Sequence, residues 1–483
     1  GVMVDQYLDL YAEARDLLSR HSAPLMNAAR EEAFARLEAL RGQRTAKREE
    51  AYRYTDVAAA FAPNYGLNLS RIDIPTNPYE AFKCDVPNLS TSVYFVINDA
   101  FNTRNLPTAP LPDGVVVDSL RRVAEERPEW IEGKYDRICR RERRDRRDVE
   151  GGESRESRDS RESRESRDTR DYRNAKTPVV GLNTLLAQDG IYIRIPAGVR
   201  LERPIQVVNI LRSDVEMMVN RRVLIDVGEG AEATILVCDH TADDRKFLVT
   251  EVAEVVVGQG ASLQLYSLEE NATQVQRFTD LSVRQAAASR FVHSVMTLGT
   301  GLSCNRVHVS MDGEGAHCTL NGAVIADGTQ HVDHGTVITH NAPGCESDEL
   351  YKYVLDDDAV GAFAGRIVVP HGMQQTTSNM VNANLVGSEK AHIYTQPILE
   401  IYADDVQCSH GSTVGQLNDA ALIYMRQRGI PEDEARLLLK QAFATQVIES
   451  IQLPALRDRL HHLVEKRFRG ELTHCEGCKL CRK

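Results

Sequence analysis

No window of this 483-residue chain approaches the ~18 uninterrupted apolar residues that a membrane helix needs, although 42% of its residues are hydrophobic. The first thirty residues also lack the charged, apolar and small-residue sections of a secretory signal, so the expectation is a soluble protein of the cytoplasm, with no membrane partner. Aromatic residues are scarce, 6% with a single tryptophan, which leaves few platforms for stacking sugars. Ten cysteines occur without framework spacing, which argues for a reducing compartment and against disulfide stapling. The formal charge of −12 offers no basic surface to replace the counterions of phosphates, so no nucleic-acid partner is expected. No G-x-x-x-x-G-K-[ST] loop, G-x-S-x-G elbow or H-E-x-x-H helix is present, which removes the P-loop route to nucleotide hydrolysis.

What the chain does contain falls into five stretches. Residues 1–135 begin with helical periodicity, Tyr7, Leu8, Tyr11 and Leu18 and then Phe34, Leu37 and Leu40, and continue into a mixed part broken by Pro63, Pro75, Pro78 and Pro87. Residues 136–177 are a charged low-complexity insertion of Ser-Arg-acid triplets, which cannot bury enough apolar area to offset its ordering entropy. From 178 to 416 the texture is that of strands, alternating Ile191, Ile193 and Ile195, then Val223, Ile225 and Val227, each run ending at glycine or proline. Within it "GEGAEATILV" at 228, "GQGASLQLYS" at 258 and "GEGAHCTLNG" at 313 share a Gly-x-Gly-Ala turn, at intervals of 30 and 55 residues. A turn glycine recurring after similar strand lengths is what stacked β-coils require. With no long helical segment between 190 and 415, ordinary βαβ folds are excluded and a β-solenoid or a sandwich is left; the recurring turns favour a mainly β protein whose core is a parallel β-helix. Residues 417–470 return to helix, with Asn418 or Asp419 as N-cap, Gly429 as terminator and Pro431 opening a second helix whose stripe includes Ala435, Leu438, Leu439, Ala442 and Phe443. Residues 471–483 form a cysteine-rich tail.

Three clusters carry metal-ligating side chains. Cys408 and His410 stand two apart on a predicted strand, so both point to one side, roughly 7 Å apart along the chain. That spacing suits a shared ligand site, but a free cysteine usually packs as a small hydrophobe, and on these two residues alone that plainer reading wins. "HVDHGTVITH" offers His331, Asp333, His334 and His340, yet strand geometry puts His331 and His334 on opposite faces, which favours plain polar positions over a metal site. In the tail, Cys475, Cys478 and Cys481 are three apart beside His474, a spacing that lets a short loop wrap iron or zinc with a fourth ligand from elsewhere.

The stretch Pro397 to Phe443, "PILEIYADDVQCSHGSTVGQLNDAALIYMRQRGIPEDEARLLLKQAF", closely resembles the SufB/SufD family of iron-sulfur cluster assembly proteins. Upstream, "HVDHGTVITHNAPGCESDELYKYVLDDDAVGAFAGRIVV" and "QDGIYIRIPAGVRLERPIQ" look like the same family's core. "EEAYRYTDV" resembles its N-terminal signature, with Tyr52 where tryptophan is common. Cys-Ser-His-Gly at 408–411 resembles the SufD branch. The resemblance implies a right-handed parallel β-helix between N-terminal and C-terminal helical domains, pairing edge to edge with SufB and docking the ATPase SufC through Leu438, Leu439, Ala442 and Phe443. It implies a scaffold and not an enzyme, with a transient iron-sulfur cluster built at the SufB interface beside His410, Cys408 being the neighbouring thiol of less certain role. The rival readings are a SufB-like homodimer that holds a cluster unaided and a β-helix enzyme acting on polysaccharide.

Overall fold

The structure, a computed structural model, describes residues 3–42, 52–81, 90–140 and 178–472. Two sheets run side by side. One takes β1 (Ser92–Ile97), β2 (Ala100–Phe101), β5 (Ile205–Leu211), β7 (Glu232–Thr241), β9 (Ser262–Glu270), β11 (Arg290–Gly299), β13 (His317–Ala326), β15 (Glu346–Leu355), β17 (Thr376–Val386) and β19 (Val406–Gly415). The other takes β3 (Val116–Ser119), β4 (Gly190–Ile195), β6 (Met217–Val227), β8 (Phe247–Val257), β10 (Val275–Gln285), β12 (Leu302–Met311), β14 (His331–His340), β16 (Val360–Val369) and β18 (His392–Ile401). From β4 onward, strands pair parallel with the strand two places along, as Val219 does with Val249 and Tyr351 with Asn382. Each coil therefore gives one strand to each sheet, making a parallel β-solenoid of about 8 turns with helices at both termini.

Coil length is held by the turns. In the three Gly-x-Gly-Ala turns the second glycine is left-handed, Gly230 and Gly260 at φ 65° and Gly315 at φ 71°. The first sits where coils touch: a Cβ on Gly258 would lie 2.8 Å from the Glu229 amide nitrogen, and one on Gly313 only 1.9 Å from that of Ala287. The alanine that follows, Ala231, Ala261 or Ala316, is buried in the lumen. The irregular 55-residue interval is two ordinary coils, because the chain also turns at Ala286–Ser289, where Ala288 adopts the left-handed conformation at φ 54° without being glycine. One sequence-based boundary moves: β1 pairs in parallel with β5 and β3 pairs antiparallel with β4, so the solenoid begins inside residues 1–135, before 178. Its strands there are short and lie among the prolines, where alternation is hard to see.

Alternate residues fill the lumen. An apolar row runs through Ile225, Val255, Val283, Val309 and Ile338, and a charged layer of Arg221, Asp239, Glu251 and Arg277 lies beside it, with Arg221 bonded to Glu251 at 2.9 Å. Outside, the helix Pro178–Leu186 lies between β8 and the helix Asp5–Arg20, its Leu182 and Leu185 packed with Leu8, Tyr11, Leu248 and Phe278. On the other sheet the helices Glu432–Ile448 and Pro454–Phe468 bury Val447, Ile448, Leu460, Leu463 and Val464 against Leu236, Tyr266, Met296 and Ile325. At roughly 2 kcal/mol for each of those five helix residues, peeling the pair from the sheet costs on the order of 10 kcal/mol.

The two ends of the solenoid differ. At the first, β2 and β3 turn antiparallel and close the sheets. At the last, β18 and β19 each pair on one side only among the described residues, which leaves two ten-residue edges.

Candidate functional site

Cys408 and His410 lie on that last coil. In the register of β19 on β17, Cys408 sits beside Ser378 and His410 beside Met380, and both of those neighbours are buried at 2% exposure or less. Strand alternation thus carries both side chains into rows that elsewhere face the lumen. With no further coil among the described residues they open to solvent: His410 is exposed, and Cys408 is half-buried against the apolar core, which raises its thiol pKa. The Oγ1 of Thr395 and the Oγ of Ser412 meet at 2.8 Å across the end, tying β18 to β19. Around the rim Tyr394, Tyr402 and Val414 stand exposed.

Chemically this is a soft thiol and an imidazole on an unfinished surface. Two donors do not complete the tetrahedral set that zinc or an iron-sulfur iron requires. Among the described residues, no three His, Cys, Asp or Glu side chains come together to hold a metal ion. Any metal held here needs further ligands from beyond the described residues.

The histidine-rich strand β14 divides as its alternation requires. His331 faces outward, within 3.2 Å of the Thr55 hydroxyl, and Asp333 accepts from Thr55 at 2.7 Å and from Arg306 at 3.0 Å. His334 and His340 point into the lumen, where burial lowers their pKa values to about 3 and about 4, and His340 Nε2 meets the Ser347 hydroxyl at 2.9 Å. The sheet separates the two pairs. His474, Cys475, Cys478 and Cys481 lie outside the described residues.

The four docking candidates do not form one exposed stripe. Ala442 is exposed and Leu438 and Leu439 are half-buried, but Phe443 packs toward the sheet with the Lys352 ammonium 4.1 Å from its ring centroid. Spacing defines an apolar stripe without saying which side the sheet occupies. On the C-terminal helices the large apolar side chains left exposed are Ile423 and Tyr424, at 55% and 54%, on the helix Asp419–Gln427, whose only buried residue is Leu422. Sequence reasoning passed over them, although three consecutive large apolar residues, Leu422 to Tyr424, cannot all share one face of a 3.6-residue period. Ion pairs fasten the neighbouring helices to the coil turns, Lys440 to Asp356 at 3.0 Å and Arg467 to Asp327 at 2.9 Å.

Comparison with known proteins adds the following. The family model for the SUF system FeS cluster assembly SufBD core domain matches residues 209–443, and that for the SufBD protein N-terminal region matches 2–146 and 169–207, passing over 147–168 in the triplet repeat. An iron-sulfur cluster assembly SufBD family protein of Synechocystis is 30% identical over 59% of this chain and 65% of its own length, slightly under two thirds. The iron-sulfur cluster assembly protein SufD of Escherichia coli is 30% identical over 60% of this chain and 69% of its own length. The protein of the same name from Bacillus subtilis is 23% identical over 60% and 67%.

Proposed function

The chain belongs to the SufB/SufD family of iron-sulfur cluster assembly proteins, and we propose that within it the chain serves as a non-catalytic scaffold subunit of the SufD type. It pairs through its last coil with SufB, docks the ATPase SufC on its C-terminal helices, and works in the cytoplasm. The observation that carries this reading is the asymmetry of the solenoid: one end closed by antiparallel strands, the other open and carrying Cys408 and His410.

Open edges present unpaired main-chain groups that a second β-chain can continue. A partner strand laid along β19 stands about 4.8 Å away, close enough for its side chains to complete a ligand set begun by an imidazole. The nascent cluster is cargo, assembled and released, and a site divided between two chains exchanges its contents when they part. SufC engages Ile423 and Tyr424 together with Ala442, Leu438 and Leu439. Because the longer helices are cemented to the sheet at a cost on the order of 10 kcal/mol, displacement of that surface moves the solenoid as a lever and opens the seam instead of peeling the helices away.

The test is anaerobic reconstitution with SufB and SufC, reading bound iron and acid-labile sulfide. His410→Ala is expected to leave the three-protein complex intact and to lower cluster yield by about tenfold or more. Unchanged yield removes His410 from the mechanism, and a stable cluster on the isolated chain favours the self-sufficient homodimer instead.

A further inference from the structure

At the closed end of the solenoid, β6 is longer than the strand beside it. Its register on β4 begins with Arg222 opposite Gly190, whereas β6 itself starts at Met217, so among the described residues 217–221 have no strand on that side. Gly66 bridges Met217 at the far end of this gap. Met218 N–H donates to Gly66 and Arg222 N–H to Asp189, so the main-chain groups of the even-numbered residues face the gap, and those of Asn220 lie in its middle. The gap is a cavity of about 340 Å³, walled by Ile74, Leu186, Met217 and Val219 and by the turn between β1 and β2.

Two loops bring opposite charges to its wall. Arg71 holds the left-handed conformation at φ 57° without being glycine, and Asn98 does so at φ 55°. An asparagine clamps each loop. Asn68 donates to the Ile72 carbonyl at 2.8 Å and accepts from its amide at 2.9 Å, and Asn98 likewise takes both main-chain groups of Arg212 at 2.9 Å. The backbone is thereby fixed in a conformation that arginine otherwise avoids, and Arg71 Nη1 meets Asp99 Oδ2 at 2.5 Å. Burial works against the Arg71 charge, but Asp99 and Asp189 more than offset it, so its pKa stands above the ordinary arginine value. One hydrogen bond joins the pair among the described residues, and the two side chains are 15% and 16% exposed. A guanidinium has five donors and a carboxylate about four acceptor sites, so most of both remains for a ligand.

We propose that this cavity binds a free α-amino acid, its carboxylate on Arg71, its ammonium on Asp99 and an apolar side chain against Ile74, Leu186 and Met217. A zwitterion with both charges on one carbon matches two opposite charges set this close, whereas a simple anion is repelled by Asp99 and a simple cation by Arg71. The Asn220 main chain supplies further hydrogen bonds, and the volume is that of a small-molecule site. Nothing in this assignment depends on the pairing or docking proposed above.

Isothermal titration of the full chain with the standard L-amino acids tests it. At least one apolar member, such as L-leucine, is expected to bind with Kd about 1 mM or tighter. Its N-acetyl derivative, which lacks the ammonium, and its amide, which lacks the carboxylate, should bind about tenfold more weakly or worse. Arg71→Gln and Asp99→Asn should each weaken binding about tenfold or more, while Arg104→Gln, on the exposed rim where Arg104 pairs with Asp73 at 2.9 Å, should stay within about twofold. Unfolding midpoints are read alongside, and if either cavity variant folds poorly the two derivatives on the wild-type chain decide. No binding by any member up to about 10 mM overturns the inference. So do derivatives that bind as tightly as the parent, an unchanged affinity in Arg71→Gln, or an equal loss in Arg104→Gln.

Discussion

Glu349 gives the sharpest quantitative test of the lumen. It is 2% exposed on β15, its Oε1 accepts from the Thr336 hydroxyl at 2.6 Å across the lumen, and its Oε2 has no hydrogen-bond partner among the described residues. Burial raises its pKa from 4.5 to about 7, and the Thr336 hydroxyl offsets only part of that. The sign follows from proton counting. Between pH 4.5 and 7 the folded chain holds a proton that the unfolded chain has released, so this group's contribution to stability is fully present below 4.5 and declines as pH rises through 7. The limit is the shift itself, which at about 1.4 kcal/mol per pH unit amounts to about 3 kcal/mol by pH 8. Glu349→Gln retains the acceptor for Thr336, cannot ionise, and places an amide donor where Oε2 is orphaned. Urea denaturation of both proteins at pH 5, 6, 7 and 8 is expected to show near-equal stability at pH 5 and a variant roughly 2–3 kcal/mol more stable at pH 8. A difference that stays constant over that range refutes the reasoning, whatever its size.

The turns and the docking surface can be tested in the same way. Ala288→Gly removes a side chain from a left-handed residue and should raise stability by up to about 1 kcal/mol, whereas Gly313→Ala drives a Cβ into the Ala287 backbone and should lower it by about 3 kcal/mol or more; thermal unfolding reads both, and the reverse order contradicts the stacking account. Replacing Ile423 and Tyr424 together by glutamate should abolish retention of SufC on immobilised protein while leaving the unfolding midpoint within a degree or two. Retention at the wild-type level removes that helix from the docking surface.

Much of this molecule was legible before any coordinates. Alternation of Ile191, Ile193 and Ile195, and of Val223, Ile225 and Val227, is a local property of strands with one face to a core, and the Gly-x-Gly-Ala turns mark a backbone conformation that few other residues adopt. The same alternation sufficed to put Cys408 and His410 on one side and His331 and His334 on opposite sides. Tertiary structure alone decided the rest, because each remaining question concerned which surface is covered. Whether the row holding Cys408 and His410 is sealed or open depends on whether another coil follows; whether Phe443 faces solvent or sheet depends on where its helix lands; and the meeting of Tyr54 with Tyr394 joins residues 340 positions apart through a register that no local pattern encodes. Periodicity is carried by neighbours in the chain, whereas exposure is set by elements distant in sequence that come to lie on top.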